Sequence, residues 1–181
     1  LEGFSVGRNL YKIGQHCGDT SELFFSDMRI PKSALLGEEG KGFAYLMQEL
    51  PRERLVIGAI GVAAARGALD LTFSYADERE LFGQKLKQLQ NTRFRIAEME
   101  TDYRINKAFV DQCIAEYERG ELDAATASMA KYSATEMQCR VADGCLQLFG
   151  GYGYTTEYPI SRAFTDARVQ RIYGGTSEVM K

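Results

Sequence analysis

The chain has 181 residues, 45% of them apolar and 26% charged. That length buries a core without disulfide staples, and that balance excludes collagen-like, disordered and disulfide-scaffold classes. A net charge of −3, from 22 basic and 25 acidic residues, gives no electrostatic footprint for nucleic acid. The chain starts at Leu1 and stops mid-pattern at Lys181, so a piece of a longer protein is expected. Cys17, Cys113, Cys139 and Cys145 show no C-x-x-C spacing and His16 is the single histidine. No metal site is therefore predicted, and reduced, buried thiols in a reducing compartment are expected. The apolar uncharged run Leu55 to Ala65 is too short to span a bilayer, and no secretory signal is expected.

Residues 1–40 are punctuated by glycine and have little helical period. Leu23-Phe24-Phe25 and Met28-Arg29-Ile30 flank Ser26-Asp27 and precede Pro31, which reads as a strand ending at a proline-marked turn. This segment is expected to be an incomplete part of a β domain, because two or three strands cannot close a stable sheet alone. From Gly42 to about Tyr75 the period becomes helical. Leu50-Pro51 predicts a kink or restart, and the run from Leu55 onward predicts a helix buried nearly all round. A second helix is predicted from near Gln88 to Arg119, with Ile96, Met99, Tyr103, Val110, Ile114 and Tyr117 as its core stripe. Gly120 ends it, and Asp123 is read as the cap of a third helix with Ala125, Met129, Met137, Val141, Cys145 and Leu148 inward. A fourth runs from Pro159 to about Arg171, and Thr176 opens one more. The predicted architecture is mainly α: a partial β segment over 1–40, then an antiparallel four-helix bundle over 41–181.

Three places could carry chemistry. Glu49 and Glu53 lie beside Arg52 and Arg54 at the head of the apolar helix. A carboxylate there would be partly desolvated and suited to proton abstraction; a solvated helix end is the plainer reading. Arg79 stands before Leu81-Phe82-Gly83-Gln84, as a phosphate clamp or within an ordinary inter-helix loop. Gln147-Leu148-Phe149-Gly150-Gly151 and Ile172-Tyr173-Gly174-Gly175-Thr176-Ser177-Glu178 let a ligand reach backbone N–H groups, or are caps and turns.

In order and spacing, these segments resemble the acyl-CoA dehydrogenase family. Leu50-Pro51-Arg52-Glu53-Arg54-Leu55, Arg79 with Leu81 to Gln84, Gln147 to Gly151, and Ile172 to Glu178 carry the resemblance. Gly14 to Thr20 and Phe25 to Pro31 resemble the later part of the family's middle β domain. Met129-Ala130-Lys131-Tyr132 and Ile172 to Thr176 favour the long-chain subtype. The resemblance implies FAD and oxidation of an acyl-CoA thioester to the trans-2-enoyl-CoA, a carboxylate removing the α-proton while the β-hydrogen leaves as hydride. Most members carry that base where this chain has Gly174. The long-chain and isovaleryl types place it in an earlier E-R-L pattern, here Glu53-Arg54-Leu55.

The same resemblance implies FAD contacts from Arg79, Phe82, Gln90, Gln147, Leu148, Phe149, Gly150 and Gly151, several of them reaching a neighbouring subunit's cofactor. Thr176 and Glu178 are implied near the ADP part, and Ser177 among the cofactor contacts. Arg54 is implied near coenzyme A, and Gly174 and Gly175 at the thioester, through the Gly174 N–H. A homotetramer or dimer, an electron-transfer flavoprotein as electron acceptor, and a mitochondrial-matrix or bacterial-cytoplasmic setting follow from it too. The rival readings are an acyl-CoA oxidase and a non-catalytic helical assembly module.

Overall fold

The computed structural model describes residues 1–181 as two compact units, Leu1–Glu49 and Leu50–Lys181. In the first, β1 (Phe4–Asn9) pairs antiparallel with β2 (Ser21–Phe25), with Phe4 opposite Phe25 and Val6 opposite Leu23. The register slips between Val6 and Asn9. The predicted strand through Met28–Ile30 stops at Phe25 instead. Asp27 takes a left-handed φ of 51°, and the Ser26 N–H turns back to the Gly3 carbonyl. The strands are exposed on both faces apart from Ser21, as expected for a sheet fragment.

The longest element is α1 (Gly42–Glu78), which stays helical through Pro51. The predicted restart is absent; proline removes one N–H but leaves the following helical bonds intact. By length and composition α1 could cross a membrane, which counting only its uncharged run misses; nearly half of its most apolar stretch is buried within the fold. Its burial is one-sided. Leu55, Val62, Ala65, Ala68 and Leu69 enter the core, while Val56 and Ile60 remain about half exposed. The expectation of all-round burial therefore fails within this chain.

After α1, the segment expected as a loop forms a hairpin of β3 (Glu80–Leu81) and β4 (Gln84–Lys85). Phe82 and Gly83 have φ of 54° and 76°, the two positive values that a tight I′-type turn needs. Then α2 (Gln90–Glu118), α3 (Ala124–Phe149) and α4 (Pro159–Gln170) follow, near their predicted bounds. The Asp123 carboxylate accepts from Ala125 N and Thr126 N, satisfying orphan donors of the first turn of α3. Gly150 ends α3 with φ 60°. Beyond α4 the chain makes turns rather than the further helix expected at Thr176.

The most deeply buried helix is α3, with Ala127, Ala130, Ala134, Met137, Val141 and Cys145 inaccessible. Its inward stripe is offset from the predicted one: Ala125 and Met129 face out. From α2, Met99, Tyr103 and Val110 join the core as predicted, together with Asn106 and Cys113; Tyr117 is exposed. Against α3, α1 presents Gly58 and Gly61, whose missing β-carbons would lie 3.2 Å from the Ala130 and Ala134 carbonyl oxygens. Backbone there meets backbone.

Two outcomes follow. Gly61→Leu should lower stability by about 1–3 kcal/mol through overpacking, read as a shift of the denaturation midpoint. At pH 8, Cys17, which is exposed, should react with a thiol reagent at once. Cys113 and Cys145 should react only on unfolding, since burial removes access and pushes the Cys145 thiol up to about 11.

Candidate active site and the remote hairpin end

The turn after α4 is built around two glycines. Gly174 and Gly175 have φ of 64° and 105°, a region that side chains oppose. A β-carbon on Gly174 would overlap the Ile57 Cδ1 methyl, and one on Gly175 would overlap Met180 Cε. The neck of the turn is closed by Ser177 N–H donating to the Arg171 carbonyl at 3.1 Å. Glu136 of α3 clasps both sides of the neck: its Oε1 accepts from Arg171 Nε at 2.7 Å and from Ser177 Oγ at 2.8 Å. At the tip, Lys131 Nζ donates to the Gly175 carbonyl. The Gly174 N–H, half-buried at the same tip, has no partner within the chain.

Ile57 ties this turn to α1. Glu53 lies one helical turn before Ile57, so the two share a face. The Glu53 side chain is exposed and has no hydrogen bond or ion pair. The expected partial desolvation is therefore absent in this chain: the turn after α4 reaches this face at Ile57 and leaves Glu53 in solvent. Arg54, the next residue, is half-buried. Its Nη1 donates to Ser128 Oγ at 2.9 Å, and its buried Nε has no partner. Glu53 and Arg54 of α1 and Gly174 and Gly175 of the turn thus come from two segments, linked by Ile57 against Gly174 and each tied to α3, through Ser128 and Lys131.

The sequence reading used Lys131 only as a marker of subtype. It is 0% exposed. Burial, with the positive charge of Arg54 close by, lowers its pKa, and Glu136 partly opposes this. A signal was present: Lys131 falls in the stripe Ala127, Ala130, Ala134, Gln138 and Val141, all of it buried. Ile57, Ser128, Glu136 and Arg171 were missed as well; nothing in their local sequence sets them apart.

The second group gathers at the far end of α1. Arg79 lies over the Tyr152 ring, 5.3 Å from its centroid, and has no ion pair. Its fork is therefore free for an anion. Phe82, at the hairpin tip, is 92% exposed. Gln90, Gln147, Gly150 and Gly151 are exposed, with open space around both glycines. A guanidinium, two amides and bare glycine backbone form a donor set that fits a pyrophosphate.

Three residues of the expected set are committed elsewhere. The Phe149 ring is buried, stacked on Tyr75 at 4.0 Å with Tyr158 edge-on, so its side chain holds the bundle end together. Leu148 is half-buried against the core. Ser177 is buried with its hydroxyl on Glu136, which closes the neck of the turn and leaves no donor for a ligand. Thr176 Oγ1 accepts from Val179 N, and Glu178 is exposed beside them. That carboxyl is held below its usual range by its own backbone N–H and by the Thr176 hydroxyl.

From Glu53 to Arg79 the helix climbs about 39 Å at 1.5 Å per residue. The two groups therefore lie at opposite ends of α1.

Comparison with known proteins gives the family. The model of the acyl-CoA dehydrogenase C-terminal domain matches residues 40–181. The mitochondrial long-chain specific acyl-CoA dehydrogenase of Sus scrofa is 52% identical over 181 residues, all of this chain and 42% of that protein. The acryloyl-CoA reductase (NADH) of Anaerotignum propionicum is 38% identical over 99% of this chain and 45% of its own length. The crystal structure of an acyl-CoA dehydrogenase from Geobacillus kaustophilus superposes with a TM-score of 0.96 at 46% identity, covering 99% of this chain and 47% of that one. The chain thus spans less than half the length of these relatives. A helical bundle matched over 142 of 181 residues by one domain model, with the same fold in solved relatives, places the chain in the acyl-CoA dehydrogenase family.

Proposed function

We propose that this chain forms the C-terminal part of a flavin-dependent acyl-CoA dehydrogenase acting on long-chain or branched acyl-CoA, with Glu53 as the base. One observation carries the reading. Gly174, where most family members have the carboxylate, has no side chain, and the place of its β-carbon is taken by the end of Ile57, one turn from Glu53. The carboxylate absent from one segment is present on the helix that packs against it.

In the mechanism, the Glu53 carboxylate accepts the α-proton of the thioester. The unpartnered Gly174 N–H donates to the thioester oxygen, where negative charge grows as the proton leaves. Arg54, held by Ser128, lies toward the coenzyme A side. FAD, when bound, supplies the two-electron acceptor for the hydrogen lost from the β-carbon. Arg79, Phe82, Gln90, Gln147, Gly150 and Gly151 sit at the other end of α1 from Glu53 and hold the pyrophosphate end of a neighbour's cofactor. The exposed apolar residues Val56, Ile60, Phe94 and Ile105 supply contact area for such a homo-oligomer. Electron transfer to a separate flavoprotein, in a mitochondrial matrix or a bacterial cytoplasm, completes the reading. The pig relative's name includes "mitochondrial", and a solved chain 36% identical to this one comes from a study titled for an electron transferring flavoprotein.

In the full-length flavoprotein, Glu53→Gln should reduce turnover by at least about 10⁴-fold, the upper range for a positioned base, while FAD stays bound. Near-normal flavin reduction in stopped flow would disprove the assignment. Moving the carboxylate gives a second test. Gly174→Glu in the Glu53→Gln background should recover some activity, and more when Ile57→Ala is added, because the Ile57 Cδ1 methyl must turn aside for the new β-carbon. Arg79→Ala should weaken FAD retention by about 10–100-fold, as expected for a lost charge-assisted bond, measured by flavin release. Arg79→Lys should restore it only in part, since an ammonium lacks the planar fork.

A further inference from the structure

The reading of Gly174 as hydrogen-bond donor to the thioester leaves one question, and the inference below rests on that reading. Two successive left-handed glycines make the softest backbone available. A donor on such a turn has no fixed direction unless something outside the turn supplies it. α3 does so at two points: Lys131 at the tip and Glu136 at the neck. Lys131 is the more telling. A fully buried ammonium is costly, and methionine would fill the same volume without desolvating a charge. The single acceptor of Lys131 is the Gly175 carbonyl, 44 residues away. No carboxylate forms an ion pair with it, so the cation is not there for a salt bridge.

We propose that Lys131 is a positioning residue for the reaction: its bond to the Gly175 carbonyl, braced by the Glu136 clasp of Arg171 and Ser177, fixes the peptide planes of the Gly174–Gly175 turn so that the Gly174 N–H points at the thioester oxygen. The substrate's carbonyl is then polarised by a donor that is already oriented. No reorganisation is needed when charge develops.

The test uses the full-length flavoprotein and a 3-thia acyl-CoA. Sulfur at the β-position leaves no hydrogen there to remove, so only loss of the α-proton to Glu53 and its replacement by a solvent deuteron are observed. Mass spectrometry follows exchange in D2O. Lys131→Met should keep the flavin content and melting profile, slow exchange by about 10–100-fold as for a donor displaced by an ångström, and lower kcat on an ordinary substrate by a similar factor with KM little changed. Lys131→Arg, which retains a donor, should recover part of both. Glu53→Gln should abolish exchange. Wild-type exchange in Lys131→Met alongside none in Glu53→Gln would overturn the positioning role and leave the base assignment standing. Wild-type exchange in Glu53→Gln would overturn the base assignment itself. Should Lys131→Met fail to fold, Glu136→Gln serves instead. It keeps an acceptor for Ser177 but removes the charge facing Arg171, and it should slow exchange by about 3–10-fold; an unchanged rate would overturn the proposal.

Discussion

The candidate site depends on how closely α1 and α3 approach. Helix separation is set by the side chains at the crossing, and here the crossing residues are Gly58 and Gly61 against the backbone of Ala130 and Ala134. That contact lets Arg54 reach Ser128 and puts Ile57 under Gly174. It also leaves Lys131 no route to solvent. The cation must then find a partner inside the protein, and the turn after α4 provides a carbonyl. Small residues at one crossing thus lead to a burial requirement, and the requirement shapes a loop.

The two functional groups stand at opposite ends of one helix. A single helix connecting them holds their spacing fixed, because α-helices resist stretching over many turns of hydrogen bonds. The hairpin end is built for contact outward: Phe82 combines a positive φ with near-complete exposure, a conformation that bulky residues rarely hold without a functional reason. The other end is built inward, on a buried lysine and a clasped turn. On the proposed function, this contrast suits an assembly in which one copy's outward end meets another's inward one.

Much of this was legible in the sequence. Helical periods located α2, α3 and α4 to within a few residues, and Asp123 and Gly150 marked the two ends of α3. Glu53 stood out because a charged cluster meets a long apolar run. What escaped was whatever depends on a partner remote in sequence. The hairpin at Phe82-Gly83 was hidden because phenylalanine is an unusual choice for its first turn position. Exposure of Val56 and Ile60 was hidden because apolar composition does not reveal which faces are covered. Lys131 and Glu136 act through bonds to Gly175, Arg171 and Ser177, and no local pattern signals a contact made some 35 to 44 residues away. The commitments of Phe149 and Ser177 escaped for the same reason, since motif resemblance reports position and not the direction of a side chain.

The continuity of α1 between Glu53 and Arg79 has a consequence for which length changes the chain tolerates. Each inserted or deleted residue there would rotate one functional end by about 100° relative to the other and move it by about 1.5 Å. Exchanges of residue type along the outward face leave that phase untouched. A change of seven residues comes close to restoring the angle, off by about 20°, but it would still shift the far end by about 10 Å. Homologues that preserve both ends should therefore diverge freely in composition over this stretch while keeping the same number of residues, so that gap-free spacing, more than identity, marks a working member.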